Sequence, residues 1–442
     1  MKTIVISSNS SGGGKTTITL GLMKALMNRG YAVQGYKVGP DYIDTAFHSH
    51  VTSKPSRNLD LFLMGEAGVK ASFTRGIKDS SENSLGVIEG VMGLYDGKGI
   101  TTEYSTAHLA KTLDLPVVLI ISPKAQCATL CAEINGIMNF EDANIVGVIL
   151  NNITESYFKL LKCAIEKHCN IVVFGYVPKD ERLSLKSRHL GLVQSSEIED
   201  LDDKVTICSE LMEKNVDLEQ LIKCFKDNNG YEDEFHVSNK GIKIAVALDN
   251  AFSFYYRGNL ELIGELGEII YFSPLNDSKL PEDIDFLYLG GGYPEVFIEE
   301  LSLNKSMLIS IKTALLNGLN CYAECGGMMY LSEAIDGIPT VGFFSGESYM
   351  TKKLQNFGYA KLNVLSEKLT GENNIEINCH EFHKSYVQID EKKRFKLTKT
   401  MYNDDIKEWE CGYIKNNTKA VYAHIHFFGC MEFFKSFLFK NK

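Results

Sequence analysis

The sequence predicts an α/β protein of two domains, the first a P-loop domain on a parallel sheet. Three observations lead there. The chain has 442 residues, and at about 100–200 residues per domain that is two or three domains. Short apolar runs alternate with helical patterns through the first half, as strands buried on both faces by crossover helices do. A polar, glycine-containing, aperiodic stretch from Lys226 to Lys240 then interrupts the pattern, and strand–helix alternation starts afresh beyond it. The expected division is 1–226, a linker at 227–240, and 241–442. With 44% hydrophobic and 23% charged residues, the composition is globular. It excludes disordered, collagen-like and coiled-coil chains.

The elements follow in order. Thr3 to Ser7 reads as the first strand. Ile18, Leu22 and Leu26, with Met23 and Met27, mark one helix face. Ala32 to Val38, Leu85 to Ile88, Pro116 to Ile121, Ile145 to Leu150 and Ile171 to Tyr176 are further strands. Thr106 to Leu113 and Tyr157 to His168 are helical, and so are two charged stretches at Ser209 to Lys214 and Leu218 to Phe225. In the second half, Ile242 to Leu248, Ile269 to Phe272, Asp285 to Leu289 and Asn320 to Glu324 read as strands, with a helix at Glu261 to Leu266.

Lys and Arg number 46 against 56 Asp and Glu, a net charge of −10. That field disfavours a nucleic-acid partner. No run approaches the roughly 18–20 apolar residues that span a bilayer, so no membrane partner is expected. Met1-Lys2-Thr3 passes straight into an apolar strand, too short for a signal peptide. The eleven cysteines show no CxxC spacing. A cytoplasmic protein with reduced thiols is expected.

Between the first strand and helix lies Ser7-Ser-Asn-Ser-Ser-Gly-Gly-Gly-Lys-Thr-Thr17. Strand, glycine-rich loop and helix form a phosphate cradle, in which backbone N–H groups and the helix N-terminus hold phosphate oxygens. Gly12, Gly13, Gly14, Lys15, Thr16 and Thr17 are the candidate ATP-binding residues, with Lys15 on the β/γ-phosphates and Thr16 on Mg²⁺. Asn9 replaces the usual first glycine, a mild departure because Asn tolerates left-handed backbone. Two further loops follow strands, where open parallel sheets place ligands. They are Gly39-Pro-Asp-Tyr-Ile-Asp44 and Glu89-Gly-Val-Met-Gly-Leu-Tyr-Asp-Gly97. Glu89 and Asp41 are candidate metal ligands beside Thr16; Tyr42, Asp44, Asp96, Lys98 and Arg188 are candidates for the acceptor substrate.

In the second half, Asn320-Cys-Tyr-Ala-Glu-Cys-Gly-Gly-Met-Met-Tyr330 is a strand, a tight turn and a helix start. A thiol on such an elbow is exposed to substrate, and a helix N-terminus lowers its pKa. Cys325 sits at the turn and Cys321 inside the strand. The thiol needs a base, and Val421-Tyr-Ala-His-Ile-His-Phe427 supplies two imidazoles. Alternation puts His424 and His426 on one face, so spacing does not choose between them. Leu287-Tyr-Leu-Gly-Gly-Gly-Tyr-Pro-Glu295 offers backbone donors, and Gly291, Gly292 and Gly326 are the candidate oxyanion site. The order glycine loop, cysteine elbow, late histidine resembles that of class I glutamine amidotransferases.

The chain as a whole resembles the cobyrinic acid and Ni-sirohydrochlorin a,c-diamide synthases. The matching stretches are SSGGGKTTITLGLM, KVGPDYID, VIEGVMGLYDG, GVILNNI, VPKDERLSLKSRHLGLV, DNAFSFYY, YLGGGYPE, YAECGGMMYL, HEFHKSY and YAHIHF. The resemblance implies a dethiobiotin-synthetase-like domain followed by a glutaminase domain. It implies Cys325 as nucleophile with His424, the first of the pair, as its base, and Asn151 and Tyr176-Val-Pro178 near the adenine. Two matches are imperfect: Cys379 precedes His380-Glu-Phe-His383 where the family has Gly, and Lys179 follows Val-Pro where it has Arg. His380, Glu381 and His383 are candidates for the glutamine side or an interface.

The implied reaction is ATP-dependent amidation of the a and c acetates of cobyrinic acid with nitrogen from L-glutamine or ammonia, through an acyl phosphate, with Mg²⁺. The motifs do not separate cobyrinic acid from Ni-sirohydrochlorin. A cobyric acid synthase is disfavoured by the shorter chain and the YLGGGYPE and HEFH stretches. A regulatory P-loop ATPase with an inactive amidotransferase-like domain is disfavoured by Cys325 and His424, and by Ser10 where partition ATPases carry a signature Lys. A homodimer is the candidate assembly. A polyacid acceptor facing an acidic protein calls for local positive charge, sought at Lys37, Arg57, Lys98, Arg182 and Arg188.

Overall fold

The computed structural model describes residues 1–78, 80–183, 199–365 and 375–438. The chain forms two compact units, Met1–Leu61 with Glu66–Asp233, and Phe62–Gly65 with Glu234–Lys442.

In the first unit, β1 (Lys2–Ser8), β2 (Ala32–Val38), β3 (Arg57–Leu59), β4 (Ser84–Glu89), β5 (Val117–Ile121), β6 (Ile145–Ile153) and β7 (Val173–Pro178) make a sheet in the order β3-β2-β4-β1-β5-β6-β7. Every pairing in that order is parallel. A short β8 (Lys226–Asp227) adds antiparallel to β1, so the segment from 226 begins as sheet. Residues 228–241 have no regular structure. The buried apolar runs are what a sheet covered on both faces requires. Ile18, Leu22 and Leu26 of the helix Lys15–Asn28 share a buried core with Ile4, Ile6, Val118 and Ile120. Val205, Cys208 and Met212 of the helix Glu199–Asn215 belong to the same core. Because β1 to β7 are parallel, the loops leaving the C-terminal ends of β1, β2, β4 and β6 gather at one edge.

The second unit contains β9 (Ile242–Ala247), β10 (Phe252–Phe254), β11 (Gly267–Phe272), β12 (Phe286–Leu289), β13 (Gly291–Gly292), β14 (Asn320–Glu324), β15 (Ala334–Ile335), β16 (Ile338–Pro339), β17 (Gly346–Val364), β18 (Glu376–Ile389), β19 (Lys393–Thr400), β20 (Ile406–Lys415), β21 (Thr418–Val421) and β22 (His424–Ile425). Its main sheet runs β11-β9-β12-β14-β21, all parallel, and continues antiparallel through β20, β19 and β17. β18 pairs with β17 and also with β22. β14 is central, so the turn that follows it is held on both sides. In this unit Phe62 packs its ring 4.5 Å from Tyr359, and its carbonyl accepts from Asn378 Nδ2 at 2.8 Å.

Candidate functional site

The first site forms where β1 ends. Gly14 has φ 86, in the left-handed region where glycine costs least, and starts the helix Lys15–Asn28. A Cβ there would meet Asn151 Nδ2 at 2.2 Å. That amide donates to the Gly13 carbonyl at 3.1 Å and to Ser122 Oγ at 3.2 Å, so Asn151 stands against the phosphate loop itself. No side chain caps the helix start, whose free amides suit an anion. Lys15 Nζ donates to Ser8 Oγ at 3.0 Å, the Ser10 carbonyl at 3.1 Å and the Met92 carbonyl at 2.5 Å. Burial and the neighbouring Lys37 charge lower Lys15 to about 8. Replacing its neutral partners with phosphate oxygens would reverse that shift.

Thr16 Oγ1 donates to Glu89 Oε1 at 2.6 Å, which joins the first and third loops. Glu89 is fully buried at the end of β4. Its Oε1 also accepts from Lys37 Nζ at 2.9 Å, and Oε2 faces His48 Nε2 at 2.7 Å. Burial alone would raise this carboxyl. The Lys37 charge and the hydrogen bonds from His48 and Thr16 instead hold it well below the usual range, so Glu89 is ionised. Asp44 lies 2.5 Å from Lys37 Nζ. Its burial, with Glu89 nearby, pushes it up to about 8. Among the described residues no group of three His, Cys, Asp or Glu side chains could by itself hold a metal. A Thr hydroxyl beside one ionised carboxylate nonetheless matches Mg²⁺, which takes few protein ligands and keeps waters and phosphate oxygens.

The other expected residues fall into different positions. Asp41 caps the helix Tyr42–Thr52, its Oδ1 accepting from the amides of Ile43 at 2.8 Å and Asp44 at 2.9 Å. Tyr42 opens that helix. Asp96 is exposed and its Oδ2 accepts from the Gly93 amide at 2.8 Å, within its own loop. Lys98 is half-buried in the same loop. The expectation that Lys37 and Arg57 offer charge to a polyacid is corrected. Both are buried, and Lys37 is bound to Glu89 and Asp44, because a lysine inside a parallel sheet must be neutralised there. Arg182 is held by Asp180 at 2.5 Å. Arg188 lies outside the described residues.

The second site is the elbow after β14. Cys325 has φ 48 and ψ −107, a strained conformation for a residue with a Cβ, and leads into the helix Gly326–Tyr330. The elbow is tied down by Cys325 N to the Val421 carbonyl at 2.8 Å and Gly327 N to the Gly290 carbonyl at 3.0 Å. A Cβ on Gly326 would lie 2.8 Å from Pro294 Cδ and 3.2 Å from Gly292 N. A Cβ on Gly291 would lie 2.5 Å from His424 Cε1. Gly291, Gly292, Gly326 and His424 are therefore in contact around the cysteine turn, and only glycines fit there.

The two histidines separate. β22 ends at Ile425, so alternation stops and His426 turns away. His426 Nδ1 accepts the Phe428 amide at 3.3 Å, and its ring lies 5.1 Å from that of Tyr256. His424 pairs in register with His380 and has Nδ1 4.0 Å from Glu324 Oε2. Glu324 accepts from Tyr288 at 2.9 Å and Tyr322 at 2.8 Å. Burial pushes it up to about 7.

The expectation of a lowered thiol pKa is also corrected. Burial, with the carboxylates of Glu295 and Glu381, pushes the Cys325 thiol well up; the hydrogen bond from the Gly326 amide does not offset this. Burial and the neighbouring His380 and His383 push His424 down to about 3. The resting pair is a neutral thiol and a neutral imidazole. His383 stacks on Tyr422 at 3.8 Å and has Nε2 3.3 Å from Glu381 Oε2. Burial, then Lys399 and His383, lower His380 to about 4. Cys379 is buried, its thiol donating to the Ala360 carbonyl.

Sequence reasoning missed His48, Ser8, Ser122 and Glu324. One signal was present: Asp44 and His48 are four apart, on one face of a helix.

Two family profiles match the chain. Residues 4–193 match the CobQ/CobB/MinD/ParA nucleotide binding domain, and residues 243–430 match the CobB/CobQ-like glutamine amidotransferase domain. A curated protein of Clostridium tetani named cobyrinate a,c-diamide synthase is 66% identical over 444 residues, covering 100% of both chains. Proteins with the same name are 63% identical in Clostridium acetobutylicum (98% of this chain, 99% of the relative) and 43% identical in Listeria innocua (97% of each).

Proposed function

The chain belongs to the cobyrinate a,c-diamide synthase family, glutamine-hydrolysing ATP-dependent ligases of cobalamin biosynthesis, and on that premise we propose how its residues divide the work. Residues 1–226 activate the acceptor carboxylate, residues 241–442 release ammonia from glutamine, and 227–240 join them.

A carboxylate does not react with ammonia in water, because it is ionised and its oxygen is a poor leaving group. Attack of a carboxylate oxygen of an a or c acetate of cobyrinate on the γ-phosphorus of ATP forms the O–P bond of an acyl phosphate and breaks the bond to ADP, so that oxygen can later depart as phosphate. The amides of Gly12 to Lys15 cradle the phosphates, and Lys15 moves from the Ser10 and Met92 carbonyls onto the transferring group, stabilising its charge. Thr16 and Glu89 would hold Mg²⁺, which would supply charge neutralisation to the phosphates. Tyr42, Asp44, Asp96, Lys98 and Arg188 remain the residues proposed for the acceptor, with Asp41 shaping their loop as a helix cap.

In the second unit, Cys325 attacks the glutamine side-chain amide. His424 takes the thiol proton as attack proceeds and delivers it to the leaving ammonia. The amides of Gly291, Gly292 and Gly326 stabilise the oxyanion. Water then hydrolyses the thioester to glutamate. Ammonia displaces phosphate from the acyl phosphate, so two amidations use two ATP and two glutamine.

The observation that carries the glutaminase half is the packing of Gly291 on His424 and of Gly326 on Gly292 around Cys325. Cys325→Ala is expected to abolish glutamine-dependent product formation, read by mass, while ammonium-dependent formation continues. Lys15→Ala should remove both. Full glutamine use by the first variant, or ammonium-dependent activity in the second, would overturn the respective assignment.

A further inference from the structure

We propose that His48 is a positioning residue for Glu89, fixing which carboxylate oxygen is presented to a metal ion at Thr16. The proposal rests on the reading of Glu89 as the metal carboxylate. His48 lies in the helix Tyr42–Thr52 and is fully buried. Its Nε2 is 2.7 Å from Glu89 Oε2 and its Nδ1 is 3.2 Å from Ser56 Oγ. Oε1 of this carboxylate already accepts from Thr16 and Lys37, and a carboxylate in that setting only accepts, so Nε2 donates to Oε2.

The geometry leaves the two oxygens with different tasks. Oε1 faces Thr16 at 2.6 Å and Lys37 at 2.9 Å; Oε2 faces His48. The terminal carboxylate torsion is otherwise broad and roughly two-fold, so nothing intrinsic orients it. His48 supplies that orientation. The ring is held at both nitrogens, by Glu89 Oε2 and Ser56 Oγ, and its base packs on β2, where a Cβ on Gly35 would lie 2.9 Å from His48 Cβ. Outer partners of this kind orient metal ligands, and losing one typically weakens metal affinity about 10–100-fold. His48 also lies in the helix that Asp41 caps and that carries Tyr42 and Asp44, so its buried hydrogen bond joins that helix to the metal carboxylate beside the link from Asp44 through Lys37 to Glu89.

The test is the Mg²⁺ concentration that half-saturates binding of a non-hydrolysable ATP analogue to the full chain, measured by calorimetry. Gln reaches as far as Nε2 and keeps a donor for Glu89; Asn reaches only as far as Nδ1. His48→Asn should raise the required Mg²⁺ about 10–100-fold, whereas His48→Gln should restore most of it. Neither should alter analogue binding in EDTA. In a Glu89→Gln background, His48→Asn should add nothing. Equal effects of the Asn and Gln variants, or an undiminished effect without Glu89, would overturn the proposal. If Glu89→Gln itself leaves the Mg²⁺ requirement unchanged, the metal-carboxylate reading fails instead. If His48→Asn does not fold, the unaltered chain decides with ¹⁵N-labelled histidine. The His48 Nε2–H resonance, assigned by its loss in His48→Gln, should move when Mg²⁺ joins the bound analogue, and a resonance that stays still would overturn the proposal.

Discussion

Gly291 and His424 are packed so closely that a methyl group on the glycine would lie 2.5 Å from the imidazole Cε1. Real carbon contacts do not close to that distance, and both partners are buried, so one must move. Gly291→Ala should therefore displace the imidazole rather than merely crowd it. A displacement near 1 Å at a reacting group costs about 100-fold. Glutamine-dependent amidation should fall by that order while ammonium-dependent amidation holds. An unchanged glutamine rate would remove His424 from the glutaminase step.

The separated surroundings of the two histidines give a second prediction. His424→Asn should reduce glutamine hydrolysis by about 10⁴-fold or more, as loss of a base in a nucleophilic pair does. Asn at position 426 can still accept the Phe428 amide, as a short polar cap. His426→Asn should leave hydrolysis within about 3-fold and lower stability by about 1 kcal/mol from lost ring packing. Glutaminase rates of the two variants, measured side by side, check the assignment; the reverse ranking would exchange the roles.

The raised Cys325 thiol gives a third. Burial disfavours the thiolate, so at neutral pH the resting fraction is small. Iodoacetamide labelling, followed by peptide mass, should be at least about 10-fold slower at Cys325 than at the exposed Cys163, and should rise continuously with pH. A rate that levels off below neutral pH would mean that the resting thiol is already ionised.

Glu324 predicts a pH dependence of stability. Its carboxyl is pushed from an ordinary 4.5 up to about 7 by burial. A raised acid pKa favours folding while the group is protonated in both states. That contribution is complete below about 4.5 and is lost as pH rises through about 7. Glu324→Gln has no such titration. The stability advantage of the native chain over this variant, read from thermal unfolding, should shrink between about pH 5 and 8, by an amount on the order of 2–3 kcal/mol. A difference that stays flat would place the Glu324 titration elsewhere.

Much of both sites was readable because local chemistry dictated it. Thr3 to Ser7 and Asn320 to Glu324 each enclose a short apolar stretch that leads into a glycine turn, and they form β1 and β14. The long antiparallel strands β17 and β18 were not readable. β17 carries Lys352, Lys353 and Gln355, and its pairing shifts register between Met350 and Gly358. Such irregularities break the alternation that marks a strand.

The sequence by itself determined the two-part α/β plan, the phosphate cradle at Gly12 to Thr17, the cysteine elbow and the family. Each depends on neighbours in the chain, where spacing and backbone chemistry are sufficient. Only the tertiary structure decided which histidine faces the glycine loop, that Lys37 is buried on carboxylates rather than offered to substrate, and that His48 meets Glu89. The contacts His48–Glu89, Lys37–Glu89 and Gly291–His424 behind those outcomes join residues 41 or more positions apart. At such separations it is the stacking of strands and the end of β22, not periodicity, that sets direction, and burial then sets the charge each group can keep.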